Sequence, residues 1–218
     1  MSTFVIIGAG SGLGIAAARR FGREGFDVAL ISRVQDHVSQ LASELTEEGI
    51  TAGGFAADVL DRESLGAALD EVARELGPIE VLQYSPVPHR EFLRPVLETD
   101  VADLGAAMEF STLGLATAIP HVLPGMRRLG HGTILLVNGS SAARPNGTVA
   151  GTSVAFAAES AYGRMLHEAL AVENIHVGQM IVPGAIGGGD PLYDPAALAD
   201  RLWTVYVSQG DFRTTVGA

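Results

Sequence analysis

Short apolar runs alternate with longer helical runs along the whole chain, and this alternation restricts the possible folds more than any other feature. The apolar runs are Thr3–Ile7, Val28–Ser32, Thr51–Ala56, Ile79–Leu82, Thr133–Val137 and His176–Ile181, with a last short one at Phe212–Val216. Between them lie segments whose apolar residues recur at helical spacing. In Gly12–Arg23 these are Leu13, Ala16, Ala17 and Phe21. In His37–Glu48 they are Val38, Leu41 and Leu45, and in Asp61–Leu76 they are Leu65, Leu69, Val72 and Leu76. Asp100–Leu115 reads as one long helix running on toward Met126, and Gly151–Glu173 and Pro195–Ser208 read as two more. Strands this uniformly apolar are buried on both faces, and strands separated by helices pair in parallel. The expected fold is therefore α/β, a doubly wound parallel sheet in three αβα layers, formed by a single domain over residues 1–218.

The first strand-like run passes into Gly8-Ala9-Gly10-Ser11-Gly12-Leu13-Gly14 and then into a helix. Glycines at 8, 12 and 14 let the backbone turn tightly and approach a pyrophosphate, while the helix N-terminus offers free N–H groups and a favourable dipole. A glycine motif alone is weak evidence. Inside a βαβ unit it marks a Rossmann-type dinucleotide site. The stretch Pro183–Pro195, rich in proline and glycine, reads as a mobile loop over a ligand site.

Composition narrows the partners. The chain has 218 residues, 47% of them hydrophobic and 18% charged, which is a globular balance. A net charge of −11 argues against a nucleic-acid partner. There are no cysteines, and the six histidines lack zinc-ligand spacing, so no metal site is expected. No apolar run is long enough to span a membrane, and Met1-Ser2-Thr3 enters an apolar strand without a basic segment. The expectation is a soluble cytoplasmic protein that binds neither membrane nor nucleic acid.

The end of the second strand discriminates between the two nicotinamide dinucleotides. A carboxylate there binds the ribose hydroxyls of NAD, and arginine accommodates the 2′-phosphate of NADP. This chain has Ser32-Arg33 and no carboxylate before Asp36. The expected cofactor is NADP rather than NAD, with Ser11 a possible additional contact.

The spacing Gly8-x-x-x-Gly12-x-Gly14 resembles that of the short-chain dehydrogenase/reductase family, with Ile7 where the family has threonine. Further landmarks follow in family order. Ala57-Asp58-Val59 resembles the segment whose aspartate meets the adenine amino group. Ile79–Leu82 resembles the strand before the family's N-N-A-G motif. Asn138-Gly139-Ser140-Ser141 resembles the end of the strand carrying the catalytic serine. Leu170-Ala171-Val172-Glu173, Val177 and Val182-Pro183-Gly184 resemble the segment near the nicotinamide. The resemblance thins after Gly187. It implies cofactor contacts from Gly8, Gly10, Ser11, Gly12, Leu13, Gly14, Ser32, Arg33, Asp58, Val59, Ser85, Pro183, Gly184 and Ile186.

The resemblance also implies a catalytic tyrosine, a lysine four residues later that lowers its pKa, a serine that orients the substrate, and an asparagine that supports a water relay. Alignment on Leu170–Glu173 puts Phe156 at the tyrosine position and Ser160 at the lysine position, both expected to face the nicotinamide. The asparagine position is Ser111, and the N-N-A-G segment is Tyr84-Ser85-Pro86-Val87. Only the serine is kept, as Ser140 or Ser141, with Ser141 the catalytic candidate. Glu159 lies nearer the nicotinamide side of its helix; it is expected to be a solvated or ion-paired glutamate, with replacement of the missing proton donor as the alternative. Tyr162 is expected in the core or at a dimer contact, Tyr84 on the cofactor, His89 and Arg90 in a loop with substrate contact as the alternative, and His121 and His167 packed or exposed.

Two functions fit these residues. One is an NADP-dependent oxidoreductase with a rebuilt proton-transfer site, acting on a small molecule that the residues do not name; an activated C=C or imine tolerates loss of the tyrosine better than a ketone does. The other is an NADP-binding regulator, partner subunit or scaffold without redox turnover. The resemblance also implies a homodimer or homotetramer, with helices Asp100–Leu115 and Gly151–Glu173 paired through residues such as Ala106, Ala107, Phe110, Ala157, Ala161, Tyr162, Met165 and Leu166.

Overall fold

The computed structural model describes residues 2–218. Seven strands form one parallel sheet: β1 (Thr3–Ile7), β2 (Asp27–Ser32), β3 (Ala52–Ala56), β4 (Ile79–Tyr84), β5 (Gly132–Gly139), β6 (Ile175–Val182) and β7 (Arg213–Thr215), in the order β3-β2-β1-β4-β5-β6-β7. Every residue of β1, β4 and β6 is buried, which is why these runs carry no polar alternation. The helices are α1 (Leu13–Gly22), α2 (Gln35–Glu47), α3 (Arg62–Glu75), α4 (Val101–Met108), α5 (Gly114–Leu129), α6 (Ala150–Leu170) and α7 (Pro195–Ser208). One face of the sheet packs on α1, α2 and α7 through residues such as Phe21, Leu41 and Leu202. The other packs on α3, α5 and α6 through residues such as Leu69, Val122 and Ala155. The arrangement is the doubly wound Rossmann fold. Among the described residues no helix is long and apolar enough to cross a membrane.

Local chemistry explains where the helices begin. Asp61 accepts a hydrogen bond from the Ser64 N–H at the start of α3, and Asp100 does the same for Asp103 at the start of α4. Asp194 caps α7, with Pro195 at its first position.

The single long helix expected from Asp100 onward is divided. A π-helical turn, Glu109–Leu113, separates α4 from α5. The cause is tertiary. The Tyr84 hydroxyl donates to the Phe110 carbonyl at 2.6 Å, and Thr112 Oγ1 donates to the Ala155 carbonyl at 3.1 Å. Gly114 permits the approach, because a Cβ there would collide with the Tyr84 hydroxyl. Strands β4 and β5 run two residues further than expected, because Tyr84 pairs with Ile7 and Gly139 with Val182.

Candidate functional site

The strand order reverses direction between β1 and β4, and in open α/β sheets the crevice at such a point receives the ligand. Its floor is the glycine turn between β1 and α1. Gly8 has φ +88°, and a Cβ on it would run into the backbone of Pro86 after β4, so only glycine fits. Gly10 and Gly12 face open space. The first N–H groups of α1 have no carbonyl within their own helix.

Two cavities adjoin this turn and share Gly8, Gly10, Pro86 and Val87. The larger, about 460 Å³, lies toward β5 and β6 and is lined also by Gly12, Leu13, Gly14, Ser85, Asn138, Phe156, Gly184 and Ile186. The smaller, about 190 Å³, lies toward β2 and β3 and is lined by Ser32, Arg33, Asp58, Val59 and His89. Ser11 instead borders a third groove, between α1 and α7. Ser141 and Pro183 are not among the residues lining either of the two cavities. Ser141 is buried in the 3-10 turn Ser140–Ala142, whereas Ser140 is exposed.

Phe156 lines the larger cavity, where its ring has no exchangeable proton. Ser160 does not join it there, contrary to expectation. The hydroxyl of Ser160 donates to Gln179 Oε1 at 2.9 Å and accepts from the Arg213 guanidinium. The reason is geometric: α6 runs away from the cavity, so Ser160 sits one turn deeper, and its side chain is too short to reach back.

Ser160 belongs to a buried polar chain under α6. Gln179 Nε2 donates to Asn138 Oδ1 at 2.8 Å, and Asn138 Nδ2 donates to Glu159 Oε1 at 2.9 Å. Ser111, in the π turn, donates to the other carboxylate oxygen of Glu159. Contrary to the expectation of a solvated or ion-paired glutamate, Glu159 is buried on two neutral partners. It is 1% exposed, and burial pushes its pKa up to about 7 against the opposing pull of the Ser111 and Asn138 hydrogen bonds. Asn138 and Gln179 are polar residues inside buried apolar strands, a signal that the sequence carried and that apolar patterning alone passes over.

Tyr84 does not rest on the cofactor cavities. It is buried behind the π turn, and burial, with Glu159 nearby, holds its pKa well above the usual tyrosine value. Behind the larger cavity, the fully buried Gln83 donates to Ser85 Oγ at 2.8 Å. His89 and Arg90 are indeed in the segment after β4, but His89 faces the smaller cavity and its Nε2 lies 3.3 Å from Arg33 Nη1. Tyr162 and the His167 ring are half-buried beside the core, and His121 pairs with Asp70 at 2.8 Å.

Residues 2–189 match the family model described as short chain dehydrogenase. The chain belongs to that family. It is 29% identical over 170 residues to sulfoacetaldehyde reductase 2 of Chromohalobacter salexigens, covering 74% of this chain and 65% of that one. It is 33% identical over 134 residues to cis-4-hydroxycyclohexanecarboxylate dehydrogenase of Sinomonas cyclohexanicum, covering 62% and 53%. The chain thus spans from about half to just under two thirds of the length of these curated relatives. Among solved structures, a metagenomic short-chain oxidoreductase in complex with NADP superposes with a TM-score of 0.84 at 20% identity, covering 99% of this chain and 95% of that one. At that identity the likeness speaks for the fold.

Proposed function

We propose that the chain is an NADP(H)-dependent oxidoreductase whose proton-transfer site departs from the family pattern. The observation that carries this reading is the pair of cavities joined over the glycine turn. The smaller one holds Ser32 and Arg33 at the end of β2, a hydroxyl and a guanidinium suited to a 2′-phosphate. Asp58, lining the same cavity, suits the adenine amino group. The pyrophosphate belongs over Gly10, Gly12 and the α1 N-terminus, and the nicotinamide in the larger cavity beside Ser85, Phe156, Gly184 and Ile186. Bound there, NADPH supplies a hydride.

The chain's own residues bind and orient in this site but donate little. Among the side chains lining the larger cavity only Ser85 and Asn138 are polar. Both ends of the Asn138 amide are occupied by Gln179 and Glu159. Leu13, Phe156, Val182 and Ile186 make much of the remaining wall apolar. Such a site favours a substrate that needs little help with protonation, an activated C=C or imine, over a ketone. The family's lost general acid is typically worth about 10²- to 10⁴-fold.

The test has two arms. Calorimetric titration should show NADPH binding more tightly than NADH, and Arg33→Ala should weaken NADPH by about 1–3 kcal/mol while sparing NADH. Equal affinities would remove the cofactor assignment. Turnover is then followed on activated alkenes and imines beside a panel of ketones. Cofactor binding without turnover on any of them would favour the second reading, a non-redox NADP-binding protein, for which the Phe156 and Ser160 positions already speak.

A further inference from the structure

The hydrogen bond between Arg33 and His89 links two segments that are not neighbours in the sheet. Arg33 follows β2 and His89 lies beyond β4, and β1 runs between those strands. The turn after β1 is the floor of the cofactor groove, so the Arg33–His89 contact spans that floor. Arg33 is exposed just beyond the end of β2, where a long flexible side chain has much rotamer freedom to lose.

His89 is a rigid partner. Pro86 is seated on Gly8, and Pro88 limits the backbone immediately before His89. The imidazole stacks on Phe92, with centroids 5.3 Å apart and planes 10° from parallel, and leans on Phe110 at 5.2 Å. The chemistry of the bond fixes its direction. A guanidinium has only donors, so Nε2 of His89 accepts from Arg33 and the ring proton lies on Nδ1. Asp58, the other charged residue lining this cavity, accepts instead from the Leu60 N–H at 3.0 Å.

We propose that His89 is a positioning residue for cofactor selection: it holds the Arg33 guanidinium across the groove, ready for the 2′-phosphate that distinguishes NADP from NAD. The inference rests on the NADP(H) reading above. One Arg33 donor is used by His89, and the others remain for the phosphate. Ordering the arginine before the ligand arrives lowers the entropy lost on binding.

The measurement is the affinity of NADPH and of NADH, by calorimetry, for the unmodified chain and for variants at 89 and 33. His89→Ala removes the acceptor and the stack. His89→Phe keeps the stack on Phe92 and removes only the acceptor. His89→Gln restores an acceptor oxygen. Expected are NADPH affinities lowered roughly threefold to tenfold in the Ala and Phe variants, the cost of ordering one long side chain on binding, with the Gln variant near the unmodified chain and NADH unchanged throughout. In an Arg33→Ala background, His89→Ala should have no further effect, since its influence passes through Arg33. An unchanged ratio of NADPH to NADH affinity in both Ala and Phe variants overturns the proposal. So does tighter NADPH binding in them, which would mean that the bond bars the groove. If the unmodified chain shows no NADPH preference and Arg33→Ala changes neither affinity, the cofactor reading itself has failed, and the role of His89 falls with it.

Discussion

Glu159 is a carboxylate enclosed by α6, β5 and the π turn, with two neutral donors and, among the described residues, no cation on it. Its pKa rises from 4.5 in the unfolded chain to about 7 in the folded one. The folded state therefore holds the proton more tightly. Its stabilising contribution is full below about pH 4.5 and is lost as the pH rises toward 7, above which the buried group is ionised. The gap corresponds to about 3 kcal/mol. His176 acts in the opposite direction, because burial and the nearby His167 ring lower its pKa to about 4, so its contribution is lost as pH falls below 6.5. Glu159→Gln isolates the first effect: the amide accepts from Asn138, donates to Ser111 and does not titrate. Urea unfolding at pH 5 and pH 8 should show the unmodified chain losing more stability than this variant on going to pH 8. Parallel changes in the two proteins would show that Glu159 does not carry the dependence.

At the scale of elements, α6 combines close packing with the burial of polar groups. It buries Gly151, Ala155 and Gly163 closely against its neighbours, and between them Phe156, Glu159 and Ser160 take three different environments. Phe156→Tyr with Ser160→Lys would put a tyrosine and a lysine at the positions where the family resemblance expects them, and Arg213 bears on the outcome. A lysine at 160 would place a second cation against that guanidinium, which already donates to Ser160 and Gln179. The double variant should melt lower than either the unmodified chain or Phe156→Tyr alone. Adding Arg213→Met should recover much of that loss and give the larger gain in ketone reduction. A double variant as stable as the unmodified chain would mean that the lysine escapes to solvent. The sequence made most of this architecture legible: β1 and α7 have the expected limits, because a run of apolar β-branched residues and an Asp-Pro start are local signals. The π turn was not legible, since it depends on Tyr84 and Ala155, distant in the chain. The depth of Ser160, the burial of Glu159 and the Arg33–His89 contact escaped for the same reason: helical spacing assigns a face but not a depth or a partner.

At the scale of the molecule, α4 and α6 leave an apolar surface that this chain does not cover. Val154, Ala161 and Met165 fall on one side of α6, with Val154 49% and Met165 60% exposed. On α4, Val101 is 86% exposed, and Ala102, Gly105 and Ala106 are exposed beside it. The surface differs from the one expected from sequence, because Ala107 and Phe110 are consumed by the chain's own core. A stripe of exposed apolar and small residues along two helices favours close, symmetric packing against a second copy, and a two-fold axis would present each α4 and α6 to its counterpart. We therefore expect a homo-oligomer, a dimer or a tetramer built from such pairs. Light scattering at micromolar concentration should return a multiple of the 22.6 kDa chain mass. Ala161→Glu with Met165→Glu would bring four carboxylates together across the axis, and like charges in a desolvated interface are strongly unfavourable. That variant should be monomeric while keeping the far-ultraviolet circular dichroism of the unmodified chain, because neither side chain contributes to the core. An unmodified chain that scatters as a monomer would show that α4 and α6 remain exposed, and a variant that stays oligomeric would move the interface elsewhere.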